Sequence, residues 1–323
     1  MTIAGLERFR PNVYAPPEFS RFWALLVAEL QSVAPETVTE DLESPDSNMR
    51  LTRILFTSIG GVQIEGYLLC PTTSQACPLI VHAHGYNDRF DIRYDWAARG
   101  FNVLGFDARG FGRSASAVEL SEYGYVLTGI ESPETSILRG AVADYLQAVR
   151  VGKELLTEKI SRVGYYGFSF GGGLAFMAGA LSRDAALTIV GQPTFGWNDE
   201  RFRLALAGSA LEIKHYIEKH PWRRDSVIDT LRYFDTLHFA PIVRAPVFLG
   251  IGLDDDVVPS RSLLAVANHI HAPVELRFLP VSHSEDPREA LWGEFIDEWM
   301  GYLSDGVPEG FGQGERQVRG VAV

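Results

Sequence analysis

The 323-residue chain is 46% hydrophobic, enough apolar material to bury a large core in one α/β domain or two small ones. With 29 Lys and Arg against 41 Asp and Glu, its formal net charge of -12 argues against nucleic acid or an anionic membrane as a partner. The first residues lack the basic start and apolar block of a signal peptide, and no apolar run approaches a membrane span. Two cysteines, Cys70 and Cys77, without metal-ligand spacing read as reduced thiols, so the expected location is cytoplasmic.

In chain order, Pro16-Pro17-Glu18-Phe19 leads into Phe22, Trp23, Leu25, Leu26, Ala28 and Leu30, an apolar stripe at helical spacing. Residues 51–58 alternate apolar and polar, Gly60-Gly61 follows, and residues 62–68 alternate again, the pattern of a β-hairpin. From Pro78 onward, short continuous apolar runs at 79–81, 103–106, 163–167, 187–190, 247–251 and 274–279 alternate with helical stretches. That pattern predicts a mostly parallel sheet covered by helices on both faces. A helix is expected over 136–156, with Leu138, Val142, Tyr145 and Val149 on one face. Residues 192–237, rich in charged and aromatic side chains, read as an insertion of helices over the sheet edge near the site. Residues 1–303 thus form a single expected domain. The remaining tail, 304–323, has five glycines and no periodicity and is expected to be disordered.

The most informative stretch is Gly167-Phe168-Ser169-Phe170-Gly171, which closes one apolar run and opens onto a helical one. A serine on a sharp strand-to-helix turn flanked by glycines is the nucleophile elbow of an α/β-hydrolase. A serine nucleophile needs a base, and the base needs an orienting acid, in the chain order Ser, Asp or Glu, His. After the strand at 247–251 stand Asp254, Asp255 and Asp256, and after the strand at 274–279 stands His283. Three strand ends therefore aim a serine, a carboxylate and a histidine at one edge of the sheet, where ligands bind in such folds. His283 is the base expected; spacing alone does not choose among the three aspartates.

An oxyanion hole requires two backbone N–H groups. One is that of Phe170, the residue after the nucleophile. The other is expected from the loop His82-Ala83-His84-Gly85-Tyr86-Asn87. His82 and His84 lack a third ligand at suitable spacing, so no metal is expected. The loop Asp107-Ala108-Arg109-Gly110-Phe111-Gly112 ends the next strand, and Arg109 is expected to tie loops together. Phe111, Arg109 and Asn87, on the loops beside the elbow, are the substrate-pocket candidates.

With these motifs assembled, the sequence resembles the acetylxylan esterase / cephalosporin-C deacetylase family, carbohydrate esterase family seven, over residues 6–303. The likeness is carried by Arg8-Phe9-Arg10-Pro11, Phe22-Trp23, His84-Gly85-Tyr86-Asn87, the elbow, Tyr233-Phe234-Asp235 and Gly252-Leu253-Asp254-Asp255. The resemblance implies that the Tyr86 N–H is the second oxyanion donor. Its Gly-Leu-x-Asp pattern selects Asp255 as the acid. The chain departs from the family at two signature glutamines, replaced by Phe111 and Phe170, and reads His283-Ser284-Glu285 where the family has His-Glu. The two phenylalanines either make the site apolar or pack on each other as a compensated pair. The resemblance further implies a homo-oligomer, a hexameric ring with sites facing an inner cavity.

Together these readings describe a serine esterase that hydrolyses small acyl esters, above all acetyl esters of carbohydrate or related small molecules, without a cofactor. A broader carboxylesterase, or a lactone or thioester hydrolase with an apolar pocket, is the alternative. A third reading is an inactive hydrolase fold serving as a binding module.

Overall fold

The computed structural model describes residues 9–283 and 289–312. Helix α1 (Phe19–Ser32) precedes three strands, β1 (Val38–Leu42), β2 (Met49–Thr57) and β3 (Gln63–Pro71). Next come β4 (Cys77–Ala83), the short α2 (Tyr94–Ala97), β5 (Asn102–Phe106), α3 (Ile137–Leu156), β6 (Ile160–Phe168), α4 (Ser169–Leu181) and β7 (Leu187–Gly191). Four helices fill the insertion and its exit, α5 (Asn198–Leu204), α6 (Ser209–Lys219), α7 (Arg224–Arg232) and α8 (Thr236–Phe239). The chain closes with β8 (Val247–Gly252), α9 (Ser260–Ala267), β9 (Val274–Leu279) and α10 (Glu289–Asp305).

The strands form one sheet in the order β1-β2-β3-β5-β4-β6-β7-β8-β9. The first three pair antiparallel and β3 meets β5 antiparallel; from β5 to β9 every pairing is parallel. Strand side chains alternate between two apolar layers. Leu79, Val81, Leu104, Val190 and Leu249 point to the layer of α1, α3, α4 and α9. Ile80, Val103, Ile189 and Phe248 point to the layer of α2 and α10, where Trp96, Phe295 and Trp299 are buried. Burial on both faces is why these strands read as continuous apolar runs. Chain direction across the sheet reverses at β4, whose neighbours are β5 and β6, so the carboxyl ends of β4 and β6 flank a topological switch point.

The α3 face read from Leu138, Val142, Tyr145 and Val149 is buried, and Ser136 caps the helix by accepting from the Leu138 N–H. In α1, Phe22, Trp23, Leu26 and Leu30 are buried, but Leu25 faces solvent. The hairpin turns through Gly60 and Gly61, both left-handed, with φ of 73° and 71°. Strand β1 has no counterpart in the sequence reading. Every residue of Val-Thr-Glu-Asp-Leu is exposed on the sheet edge, so no apolar alternation marks it. Within the stretch read as a tail, α10 runs to Asp305, and Phe311 is buried with its ring 5.3 Å from that of Tyr302. Residues 313–323 lie outside the described residues. Among the described residues, no helix is long and apolar enough to cross a membrane.

Candidate active site

The elbow forms because β6 ends at Phe168 and α4 begins at the next residue. Ser169 takes φ 53°, a left-handed backbone that costs a non-glycine residue about 1–3 kcal/mol. The flanking glycines are steric requirements. A Cβ on Gly167 would overlap the Gly171 carbonyl, and a Cβ on Gly171 would overlap the carbonyl of Ala83 at the end of β4. The turn is fixed from outside by the Thr194 N–H, which donates to the Ser169 carbonyl at 3.0 Å. Ser169 is also the first residue of a 13-residue helix, at the end whose dipole favours negative charge.

Two further strand ends bring a carboxylate and an imidazole together. His283, after β9, donates from Nδ1 to Asp255 Oδ2 at 3.0 Å. The Asp255 side chain is wholly buried and that of His283 is 16% exposed. Asp255 Oδ1 accepts from the Val257 and Val258 N–H groups at 2.8 and 2.7 Å. These bonds satisfy a buried anion that would otherwise be costly. The neighbours are used differently. Asp254 is exposed, and Asp256 accepts from the Ser282 hydroxyl at 3.3 Å. Spacing left the three aspartates equivalent, whereas backbone direction separates them. The Phe168 ring lies 5.4 Å from that of His283 and backs the imidazole. Ser284 and Glu285, which follow the histidine, lie outside the described residues.

The loop after β4 is tied down by its histidines. His84 donates from Nδ1 to the Gly85 carbonyl at 2.6 Å, while its Nε2 accepts from the Ala108 N–H at 3.2 Å. Burial pulls the His84 pKa down, which keeps the neutral tautomer these two bonds require. His82 sits 2.7 Å from the Tyr67 hydroxyl, and burial lowers its pKa to about 3. Both rings are thus occupied by protein partners. Among the described residues, no group of three or more His, Cys, Asp or Glu could hold a metal ion. Among those residues, too, the Tyr86 and Phe170 N–H groups have no hydrogen-bond acceptor. The Tyr86 hydroxyl donates to Glu212 Oε2 on α6 at 2.6 Å, joining this loop to the insertion.

Phe111 and Phe170 do not face outward. They are 7% and 1% exposed, their rings are 5.5 Å apart, and Phe111 stacks on Tyr125 at 4.0 Å. Tyr86 and His84 close the same cluster edge-on to Phe111, at 5.7 and 5.1 Å. The two departures from the family pattern are therefore one buried aromatic unit beneath the loop. Arg109 is buried too. Its guanidinium turns into α3 and forks onto Asp144 at 2.9 and 2.7 Å, with a further bond to the Ile59 carbonyl at 3.2 Å. It ties loops together, as its sequence reading expected. Asn87 is an exposed turn residue with φ 56°.

Two residues in the site have no sequence signal. Gln192 donates from Nε2 to Asp255 Oδ2, and Glu212 holds Tyr86. Both come from the insertion, where no motif marks a glutamine or a glutamate. The insertion also sends the Leu206 N–H to the Asp256 carbonyl at 2.8 Å, so it grips the elbow, the acid loop and the loop after β4.

Residues 1–296 match the model of the acetyl xylan esterase family. Among curated proteins, the chain is 21% identical to the acetyl esterase Axe7A of Xylanibacter ruminicola over 313 residues, covering 91% of this chain and 69% of that one. Among solved structures, an acetyl xylan esterase from Paenibacillus sp. R4 superposes with TM-score 0.84 at 23% identity, covering 92% of this chain and 99% of that one. Acetyl xylan esterase 1 from Thermoanaerobacterium sp. gives the same TM-score of 0.84 at 22% identity, covering 94% and 99%.

Proposed function

Because the chain belongs to the acetyl xylan esterase family and is a carboxylic ester hydrolase, we propose that it cleaves small acetyl esters through Ser169, His283 and Asp255. Ser169 Oγ attacks the ester carbonyl while His283 Nε2 takes its proton and hands it to the leaving alcohol. Asp255 holds the Nδ1–H tautomer and stabilises the imidazolium. The Tyr86 and Phe170 N–H groups receive the oxyanion, each having no acceptor among the described residues. Water then repeats the sequence on the acetyl-enzyme.

The observation that carries this reading is the 3.0 Å bond between His283 Nδ1 and Asp255 Oδ2, made by an aspartate whose carboxylate is buried and held by backbone donors. The buried Phe111–Phe170 pair bears on the substrate. Side chains packed beneath the loop do not enlarge an acyl pocket, which favours acetyl over longer acyl groups. The test is a panel of acetylated xylo-oligosaccharides, p-nitrophenyl acetate and p-nitrophenyl butyrate. Acetate should exceed butyrate in kcat/KM by about tenfold or more, since two extra methylenes that cannot be housed cost about 1–3 kcal/mol. Equal rates on acetate and butyrate support a broader carboxylesterase, and no turnover on any of them supports a binding module.

A further inference from the structure

We propose that Gln192 is a positioning residue for the acid–base pair, an inference that rests on the reading of Asp255 as the catalytic acid. Gln192 follows β7 and adopts φ 43°, a left-handed backbone with no glycine to ease it. Its N–H bonds the Gly250 carbonyl at 2.9 Å, which locks the residue across the end of β8. The side chain is completely buried and its Nε2 donates to Asp255 Oδ2, the oxygen that also accepts from His283. Space for this reach is left by Gly252, where a Cβ would overlap the Gln192 amide nitrogen. The amide oxygen Oε1, meanwhile, is buried without a partner among the described residues.

Packing alone does not account for this arrangement. A buried amide whose oxygen has no partner among the described residues, on a strained backbone, is destabilising compared with an apolar side chain of the same length. What the amide supplies is a donor at Oδ2. Backbone N–H groups hold Oδ1 from Val257 and Val258, and they leave Oδ2 to His283 and Gln192 among the described residues. Without the amide, the carboxylate plane is fixed at one oxygen only, and the imidazole inherits its freedom. Serine-hydrolase turnover is sensitive to imidazole orientation, so the glutamine acts on the rate of the chemical step through Asp255 and His283.

The test is Gln192→Met, which keeps side-chain length and removes both amide atoms, compared with Asp255→Asn and the double variant. On p-nitrophenyl acetate, kcat should fall about tenfold, the worth of one hydrogen bond to a charged group, with KM within about twofold. The melting temperature should stay within about 3 °C of wild type, because the lost bond and the removed orphan oxygen offset each other. In the Asp255→Asn background the methionine should cost less than about twofold more, since the carboxylate it would release is gone. Gln192→Leu serves the same comparison if the methionine variant does not fold. Wild-type kcat in a folded Gln192 variant, or the same tenfold loss in the Asp255→Asn background, overturns the inference. If Asp255→Asn itself keeps wild-type turnover, the acid assignment fails and the inference fails with it. An inactive Asp255→Asn beside an unimpaired Gln192→Met removes Gln192 alone.

Discussion

At the scale of single residues, several breaks in the local rules of the chain fall at the loops of the proposed chemistry. Ser169, Gln192, Phe195 and Trp197 all have positive φ without being glycine and follow β6 and β7, while Asn87, Glu36 and Thr157 share that backbone elsewhere. Such backbones persist only where surroundings over-determine them. Here the determinants are visible: Thr194 N–H on the Ser169 carbonyl, Thr236 N–H on the Phe195 carbonyl at 2.8 Å, and Trp197 N–H on Asp235 Oδ1 at 2.8 Å. The pair Phe111 and Phe170 belongs to this scale as well. Restoring the family's residues with Phe111→Gln plus Phe170→Gln would place two amides in a packed aromatic cluster. Each would lose ring contacts and bury unpartnered polar atoms, for a combined cost of about 4 kcal/mol or more. The melting temperature should drop by roughly 10 °C, and the kcat/KM ratio of acetylated xylobiose over p-nitrophenyl butyrate should stay unchanged. A stable variant with a shifted ratio would return these side chains to the pocket.

At the scale of elements, legibility followed periodicity. The parallel strands were readable because both of their faces are buried, and α3 because one face is. The elbow was readable because its glycines are steric necessities that the sequence must display. By contrast, β1 carries charges that pair across the strands, such as Arg50 with Asp41 at 2.9 Å, and an exposed edge leaves no apolar rhythm. The insertion was recognised by composition alone. Its long-range contacts, Gln192 to Asp255 and Tyr86 to Glu212, join residues 63 and 126 positions apart, and no local pattern encodes such a contact. The end of α10 shows the same limit. Phe311 sits alone in a glycine-rich stretch, so its burial had no periodic signal. Ending the chain after Asp305 should therefore lower the melting temperature by about 3–6 °C relative to ending it after Gly312, the value of burying one phenylalanine. Equal melting temperatures would show that Phe311 contributes nothing where it packs.

At the scale of the whole molecule, stability and activity answer to different groups. Burial pulls His82 down to about 3 and His238 to about 4, so both fold as neutral rings. Unfolded, each takes up a proton near pH 6.5. The unfolded chain therefore binds more protons between pH 6.5 and about 4. Stability is full above pH 6.5 and is lost as pH falls through this window. Thermal melts from pH 7.5 to pH 4.5 should show a falling midpoint, and His82→Leu should lose less of its own midpoint over that range. An identical slope in the variant would mean that the ring is protonated in the folded protein.

The account turns on one atom, Ser169 Oγ. Replacing it with Ala leaves the left-handed turn, the glycine contacts and the Asp255–His283 pair intact, and removes only the group proposed to attack. Turnover of p-nitrophenyl acetate by purified, folded Ser169→Ala should fall by on the order of 10⁴-fold, with an unchanged melting temperature. A folded variant that keeps more than about a tenth of wild-type kcat would contradict the assignment of Ser169 as the nucleophile.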